Sequence, residues 1–156
     1  MNTDPISLVG LAERRAVVIG GGAVAARKAA GLLEAGARVT VISPEATPEL
    51  RAWAEEGRIA LHVRGYQPGD LADAFLVIAA TDDGAVNRAV WAEATRRGCL
   101  VNVVDDPAHS NFISPAVIRR DEITVAIQTG GASPALARRL RERLEAAIGP
   151  EYGVLA

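Results

Sequence analysis

Apolar residues fall along this chain in short runs separated by stretches rich in alanine, glutamate and arginine. Five runs read as strands: Arg15–Ile19, Arg38–Ile42, Ile59–Val63, Phe75–Ala79 and Leu100–Val104. The first and fourth are continuously apolar, as parallel strands covered on both faces are. Helices are predicted between them over Ala23–Ala35, Pro48–Glu56 and Gly84–Arg97. Gly36 and Gly57 stop the first two, and Asp82 or Asp83 caps the start of the third. Ile6 to Leu11 reads as an entry strand or loop, and Pro68-Gly69-Asp70 as a turn or short helical piece. Strands alternating with helices at these lengths predict an α/β fold, a doubly wound parallel (Rossmann) sheet.

After Pro107 the pattern changes. Phe112–Arg119 and Glu122–Gln128 read as two strands joined at Arg120-Asp121. Ile123, Val125 and Ile127 alternate with smaller or polar residues, the mark of a half-buried antiparallel strand. Ser133 then fits an N-cap and Pro134 the first position of a last helix reaching about Ile148. That helix carries Leu136, Leu140, Leu144 and Ile148 on one face. The sheet or a second copy of the chain can bury them; we favour the second copy, because the unit lies outside the βαβ pattern. The expected division is a nucleotide-binding domain over 1–108 and a C-terminal hairpin-plus-helix dimerisation extension over 109–156.

The first strand runs into Gly20-Gly21-Gly22-Ala23-Val24-Ala25, a G-x-G-x-x-A pattern with strand before and helix after. The first small residue makes the turn. The second lets a pyrophosphate approach the backbone, and the third lets helix and strand pack closely. The unpaired N–H groups of a helix start suit an anion. Strand two ends in Ser43-Pro44-Glu45, where such folds read the adenosine ribose. Ser43 replaces the usual acid at the strand tip, with Glu45 two residues on, and Ser43–Leu50 holds no Arg or Lys for a 2′-phosphate. The reading leans to NAD, against a plain turn serine with a solvated glutamate.

Ligands of such sheets lie beyond the carboxyl ends of the strands. The glycines, Thr81, Asp82, Asn102 and Asp105 are therefore expected on one rim. Asp105 suits a general base or a group orienting a substrate N–H; the bland alternative is a turn-capping carboxylate. Asp106 reads as a solvated turn residue and His62 as structural. His109, near Asp105 in sequence, is a candidate titrating group or an ordinary loop histidine. Gly130-Gly131-Ala132-Ser133-Pro134, a second glycine turn opening a helix, either presents N–H groups to an anion or simply connects strand to helix.

The 156 residues carry a net charge of −2 and a single cysteine, Cys99. The charge gives no sign of a nucleic-acid binder, and the cysteine has no partner for an internal disulfide and reads as a small buried hydrophobe. No apolar stretch approaches a membrane span, so a soluble, cytoplasmic protein is expected. No metal site is predicted, and P-loop and G-x-S-x-G motifs are missing from the sequence.

Five stretches in order resemble the precorrin-2 dehydrogenase family, the N-terminal module of sirohaem synthase: Val18 to Lys28, Ala79-Ala80-Thr81-Asp82-Asp83, Asn102 to Pro107, Phe112-Ile113-Ser114-Pro115, and Gly130 to Pro134. The resemblance implies NAD-dependent oxidation of precorrin-2 to sirohydrochlorin, with ferrochelatase activity in some members. It implies catalysis by Asp105, taking a proton during oxidation or assisting pyrrole N–H loss during metal insertion. It implies NAD contacts at Ala23, Val24, Pro44 and Glu45, a tetrapyrrole site lined by Asn102, Thr129 and Ser133, and a homodimer. Ala23 departs from a polar residue common there, and Thr129 from a serine. Family members generally continue into a further helical domain and some into a methyltransferase, so methylation is not expected of this polypeptide. Two rivals stand beside this reading: a non-catalytic NAD-sensing module, and a chelatase that uses the same cleft without redox work.

Overall fold

The computed structural model describes residues 3–154, in two compact units: one spans Ser7–Phe112, the other joins the residues up to Ile6 with those from Ile113 onward. In the first unit five strands form one sheet: β1 Arg15–Ile19, β2 Arg38–Ile42, β3 Ala60–His62, β4 Leu76–Ala79 and β5 Leu100–Val103. Their spatial order is β3-β2-β1-β4-β5, and every pairing is parallel. The order reverses between β1 and β4, the switch point at which such sheets open a crevice. The register Ile19↔Ile42 and Ile19↔Ala79 brings the ends of the three central strands level.

Successive side chains point to opposite faces, and both faces are covered. Ala16 and Val18 of β1 enter a core with α1 (Ala23–Glu34) and α2 (Pro48–Glu55). Val17 and Ile19 enter a second core on the other face with α3 (Gly84–Arg97). This accounts for the unbroken apolar run, since neither face has water to satisfy. Ala25, Ala26 and Ala29 bring α1 close to the sheet, being buried with almost no side-chain volume.

Boundaries differ from expectation where side chains override pattern. β3 is three residues long, shortened because Arg64 turns away to form a two-pronged ion pair with Asp70 at 2.7–2.8 Å. Residues 6–11, expected as an entry strand or loop, are loop; Ile6, Leu8 and Val9 are exposed. No helix joins β3 to β4. The crossover loop is pinned instead by Glu93 of α3, a buried carboxylate that accepts the Tyr66 hydroxyl, the Gly69 amide at 3.0 Å and the Arg97 guanidinium at 2.7 Å. Burial alone would raise the pKa of Glu93; those three donors outweigh it and hold the carboxyl below its ordinary range.

β5 lies at a sheet edge, and the chain returns along it. Asn111 accepts the Val101 amide at 2.7 Å and donates to the Cys99 carbonyl at 2.9 Å, while Ser110 accepts the Val103 amide. Side chains here satisfy edge groups that a further strand would otherwise pair. Cys99 is buried, its thiol donating to the Ala74 carbonyl at 3.1 Å, and burial pushes its pKa up, as the structural reading of that residue requires.

The second unit holds an antiparallel hairpin, β6 Ala116–Arg120 and β7 Ile123–Ile127, and α4 Pro134–Ala147, with a final turn α5 Glu151–Val154. β6 begins four residues later than predicted, and Phe112 belongs to the first unit. Along β7 the half-buried and exposed positions alternate as expected. Ser133 caps α4 by accepting the Leu136 amide at 3.2 Å. Within this unit Leu136, Leu140 and Leu144 stay 37–49% exposed, and Ala137 is the residue of α4 that is buried.

Candidate functional site

Three strand ends and the start of α1 enclose a cleft of about 590 Å³. Each of its three glycines has a different physical task. Gly20, at φ +124°, is buried beneath the β4 end, where a β-carbon would collide with the Ala80 carbonyl oxygen. Gly21 lies against the β2–α2 loop; a β-carbon there would strike the Glu45 carbonyl and sit 2.8 Å from Ser43 Oγ. The Gly21 carbonyl also accepts the Thr47 amide at 2.9 Å, tying the two loops together. Gly22 faces open space and is the N-cap of α1. A β-carbon on Gly22 would therefore intrude on the cleft and not on the protein.

The start of α1 has no side-chain cap and no acidic residue in its first turn. The other long helices are capped: α2 by Thr47, α3 by Asp83 and α4 by Ser133. Uncapped N–H groups, the helix dipole and a glycine with open space before it make a cradle for a pyrophosphate. These residues fit a dinucleotide on their own geometry.

The other expected cofactor residues are placed as follows. Ala23, Val24, Ser43, Glu45, Thr81 and Asp82 line the cleft with the glycines; Pro44 does not, being exposed between two residues that do. Ser43 is buried and its amide donates to the His62 carbonyl, so the residue at the strand tip packs beneath the glycine turn. Glu45 is exposed and lines the cleft. Thr81 braces α3: its hydroxyl accepts the Asp83 amide at 3.0 Å and its carbonyl accepts the Asn87 side-chain amide at 2.9 Å. Asp83, not Asp82, is the cap, accepting the amides of Ala85 and Val86. Asp82 is left exposed on the cleft. Ala80, inside the family-like stretch 79–83, also lines it, and so do Ala46 and Thr47, which carried no recognisable signal in the sequence.

Asp105 lies beyond the end of β5, exposed, at φ +61°. The Asp106 amide donates to the Val103 carbonyl at 3.1 Å, closing a tight turn that places Asp105 in the left-handed region, which aspartate tolerates better than most residues. Asp106 is not the plain solvated turn residue expected. It caps the short 3-10 turn Pro107–His109 and lies 2.7 Å from His109 Nδ1, which holds its carboxyl below the usual range. The imidazole also meets the Trp91 ring edge-on. His109 is thus engaged by Asp106 and not by Asp105. Asn102 is buried and donates to the Phe112 carbonyl at 3.1 Å. His62 is exposed in β3.

In the second unit, Thr129 and Ser133 bracket the glycine turn. Thr129 Oγ1 accepts the Ser133 amide at 3.0 Å and donates to the Ser133 carbonyl, across Gly130 at φ +60° and Gly131 at φ +81°. Among the described residues no three His, Cys, Asp or Glu side chains converge to hold a metal ion.

Residues 8–116 match the family model described as putative NAD(P)-binding, and residues 120–147 match the one described as sirohaem biosynthesis protein central. The solved structure of the precorrin-2 dehydrogenase SirC superposes with a TM-score of 0.85 at 31% identity, over 96% of this chain and 74% of that one. The chain belongs to the precorrin-2 dehydrogenase and sirohaem synthase family. Within that family it is 51% identical over 147 residues to the siroheme synthase of Chromobacterium violaceum, covering 94% of this chain and 31% of the relative. To the siroheme synthase of Nitrosospira multiformis it is 49% identical over 160 residues, covering 100% of this chain and 34% of that one. The chain thus spans about a third of the length of these curated relatives, the part that holds the dinucleotide fold. The α/β fold with its appended hairpin and the NAD(P)-binding character of the cleft are properties of this family.

Proposed function

We propose that this chain oxidises precorrin-2 to sirohydrochlorin with NAD as the acceptor. The observation that carries the reading is the uncapped start of α1 behind Gly22, opening on the cleft lined by the ends of β1, β2 and β4. Bound NAD supplies a hydride acceptor. The chain's own residues do the rest. Gly20, Gly22, Ala23 and Val24 hold the pyrophosphate end, while Ser43, Glu45, Thr81 and Asp82 shape the adenosine side; Pro44 is assigned an NAD contact on the family resemblance alone. Glu45 favours a ribose hydroxyl over a 2′-phosphate by charge. Oxidation removes two hydrogens from the macrocycle: one leaves as hydride and the other as a proton, which the Asp105 carboxylate accepts. Asn102, Thr129 and Ser133 are assigned to tetrapyrrole contacts on the family resemblance.

The same reading assigns residues 1–108 to the nucleotide and 109–156 to dimerisation. The leucine face of α4, exposed within its unit, supports a homodimer. Among the described residues no helix is long and apolar enough to cross a membrane, which agrees with a cytoplasmic site of action.

The test is Asp105→Ala, assayed anaerobically. Loss of the base is expected to lower kcat by about 10²- to 10⁴-fold while the NAD dissociation constant stays within about twofold. Unchanged turnover would remove Asp105 from the mechanism. NAD binding by a wild-type chain that turns nothing over would favour the NAD-sensing module.

A further inference from the structure

Sixteen of the seventeen basic residues of this chain are arginine; Lys28 is its one lysine. It sits on α1, four residues after Val24 and therefore on the same helix face as that cleft residue, and helical side chains lean toward the N-terminus. Ala25, Ala26 and Ala29 around it are buried against the sheet, and Lys28 itself is half-buried. Val104 and Phe112, which flank the Asp105 turn, pack against that same core.

Among the described residues the Lys28 ammonium makes no ion pair, while Arg97 and Arg141 each find a carboxylate within 2.8 Å. No buried side-chain nitrogen lacks a partner, so the unpaired ammonium keeps a path to solvent and is open to an incoming anion. Its neighbour Arg27 is a second, exposed cation. Burial first, then Arg27, pull the pKa of Lys28 down, and Asp105 is the carboxylate that pulls it back up. A half-buried ammonium beside a like charge gains from a further anion that contacts it directly.

We propose that Lys28 is an anchor for a carboxylate of the acidic tetrapyrrole, holding the macrocycle beside Asp105. This rests on the functional reading above, because it takes the substrate to be a polycarboxylate. A lysine suits the position: it is a compact point charge on a flexible stem, able to follow a carboxylate on a flexible substituent. The NAD pyrophosphate is a poorer occupant. Lys28 lies more than a full turn beyond the helix start, where uncapped N–H groups already serve that anion.

The experiment measures sirohydrochlorin binding by fluorescence, and NAD binding separately, for wild type, Lys28→Met and Lys28→Arg. Loss of one charged contact is expected to weaken sirohydrochlorin binding by about 10- to 100-fold in Lys28→Met. Lys28→Arg should restore binding to within about fivefold, and NAD affinity should be the same in all three. A Lys28→Met chain that binds sirohydrochlorin like wild type overturns the proposal and leaves the dehydrogenase reading standing. Equal weakening in Met and Arg variants, or a parallel loss of NAD affinity, also overturns it, because both point to damage in α1. A wild-type chain that binds no sirohydrochlorin overturns the anchor and the functional reading together.

Discussion

At the scale of single residues, the three consecutive glycines carry separable duties. Gly21→Ala drives a methyl group into the Glu45 carbonyl and breaks the brace between the glycine turn and the β2–α2 loop. It should lower the melting temperature and weaken NAD binding together. Gly22→Ala meets no protein atom, so it should keep the melting temperature within about 2 °C of wild type yet weaken NAD binding at least tenfold, as the added methyl holds the pyrophosphate off the backbone. Calorimetry beside NAD titration separates the two. The G-x-G-x-x-A spacing announced Gly20 and Gly22 but left Gly21 a filler. Its constraint comes from a loop more than twenty residues away, which no local pattern encodes. Ser43 shows the same limit: its position at the strand tip was legible, but its burial beneath the turn was not.

Single elements were legible wherever burial on two faces decided them. β1 and α3 run over the predicted residues because both hydrophobic faces and the caps agree. Where long-range polar contacts decide, the pattern is silent. The return of Ser110 and Asn111 along the β5 edge and the pinning of the crossover loop by Glu93 depend on partners far apart in sequence. The Glu93 anchor predicts a pH effect. A carboxylate whose folded pKa is depressed adds its stability in full above the ordinary carboxylate range and loses it as pH falls through the depressed value. Glu93→Gln should therefore cost about 1–3 kcal/mol near pH 7, and its deficit against wild type should shrink as the pH drops below about 4. Thermal melts at both pH values check this; a deficit that stays constant would deny the charge its role. For α4, Leu140→Arg places a charge in the middle of the exposed leucine face. If the proposed homodimer forms through this face, sedimentation velocity should show a dimer for wild type and a monomer for the variant, without loss of helix content. An unchanged sedimentation coefficient would remove the leucine face of α4 from the proposed homodimer.

For the whole molecule, the sheet order decides the chemistry available. Reversal between β1 and β4 opens one crevice, and the ends of β1, β2 and β4 line it, with the Asp105 turn following β5. The cleft at the ends of β1, β2 and β4 was legible from alternating strands and helices together with the family resemblance; Asn102 and Asp105, expected on the same rim, do not line it. The pairing of His109 with Asp106, which ties the imidazole to the residue beside Asp105, was not legible. The proposed reaction takes Asp105 as its base and NAD as its hydride acceptor, so NADH and sirohydrochlorin must form in a fixed ratio. The measurement is an anaerobic reaction of the chain with precorrin-2, with and without NAD, following sirohydrochlorin and NADH by their visible and near-ultraviolet absorption. No sirohydrochlorin is expected without NAD, and one NADH is expected for each sirohydrochlorin when NAD is present. Sirohydrochlorin formed at the same rate without NAD, or tight NAD binding with no product, would contradict the proposed reaction.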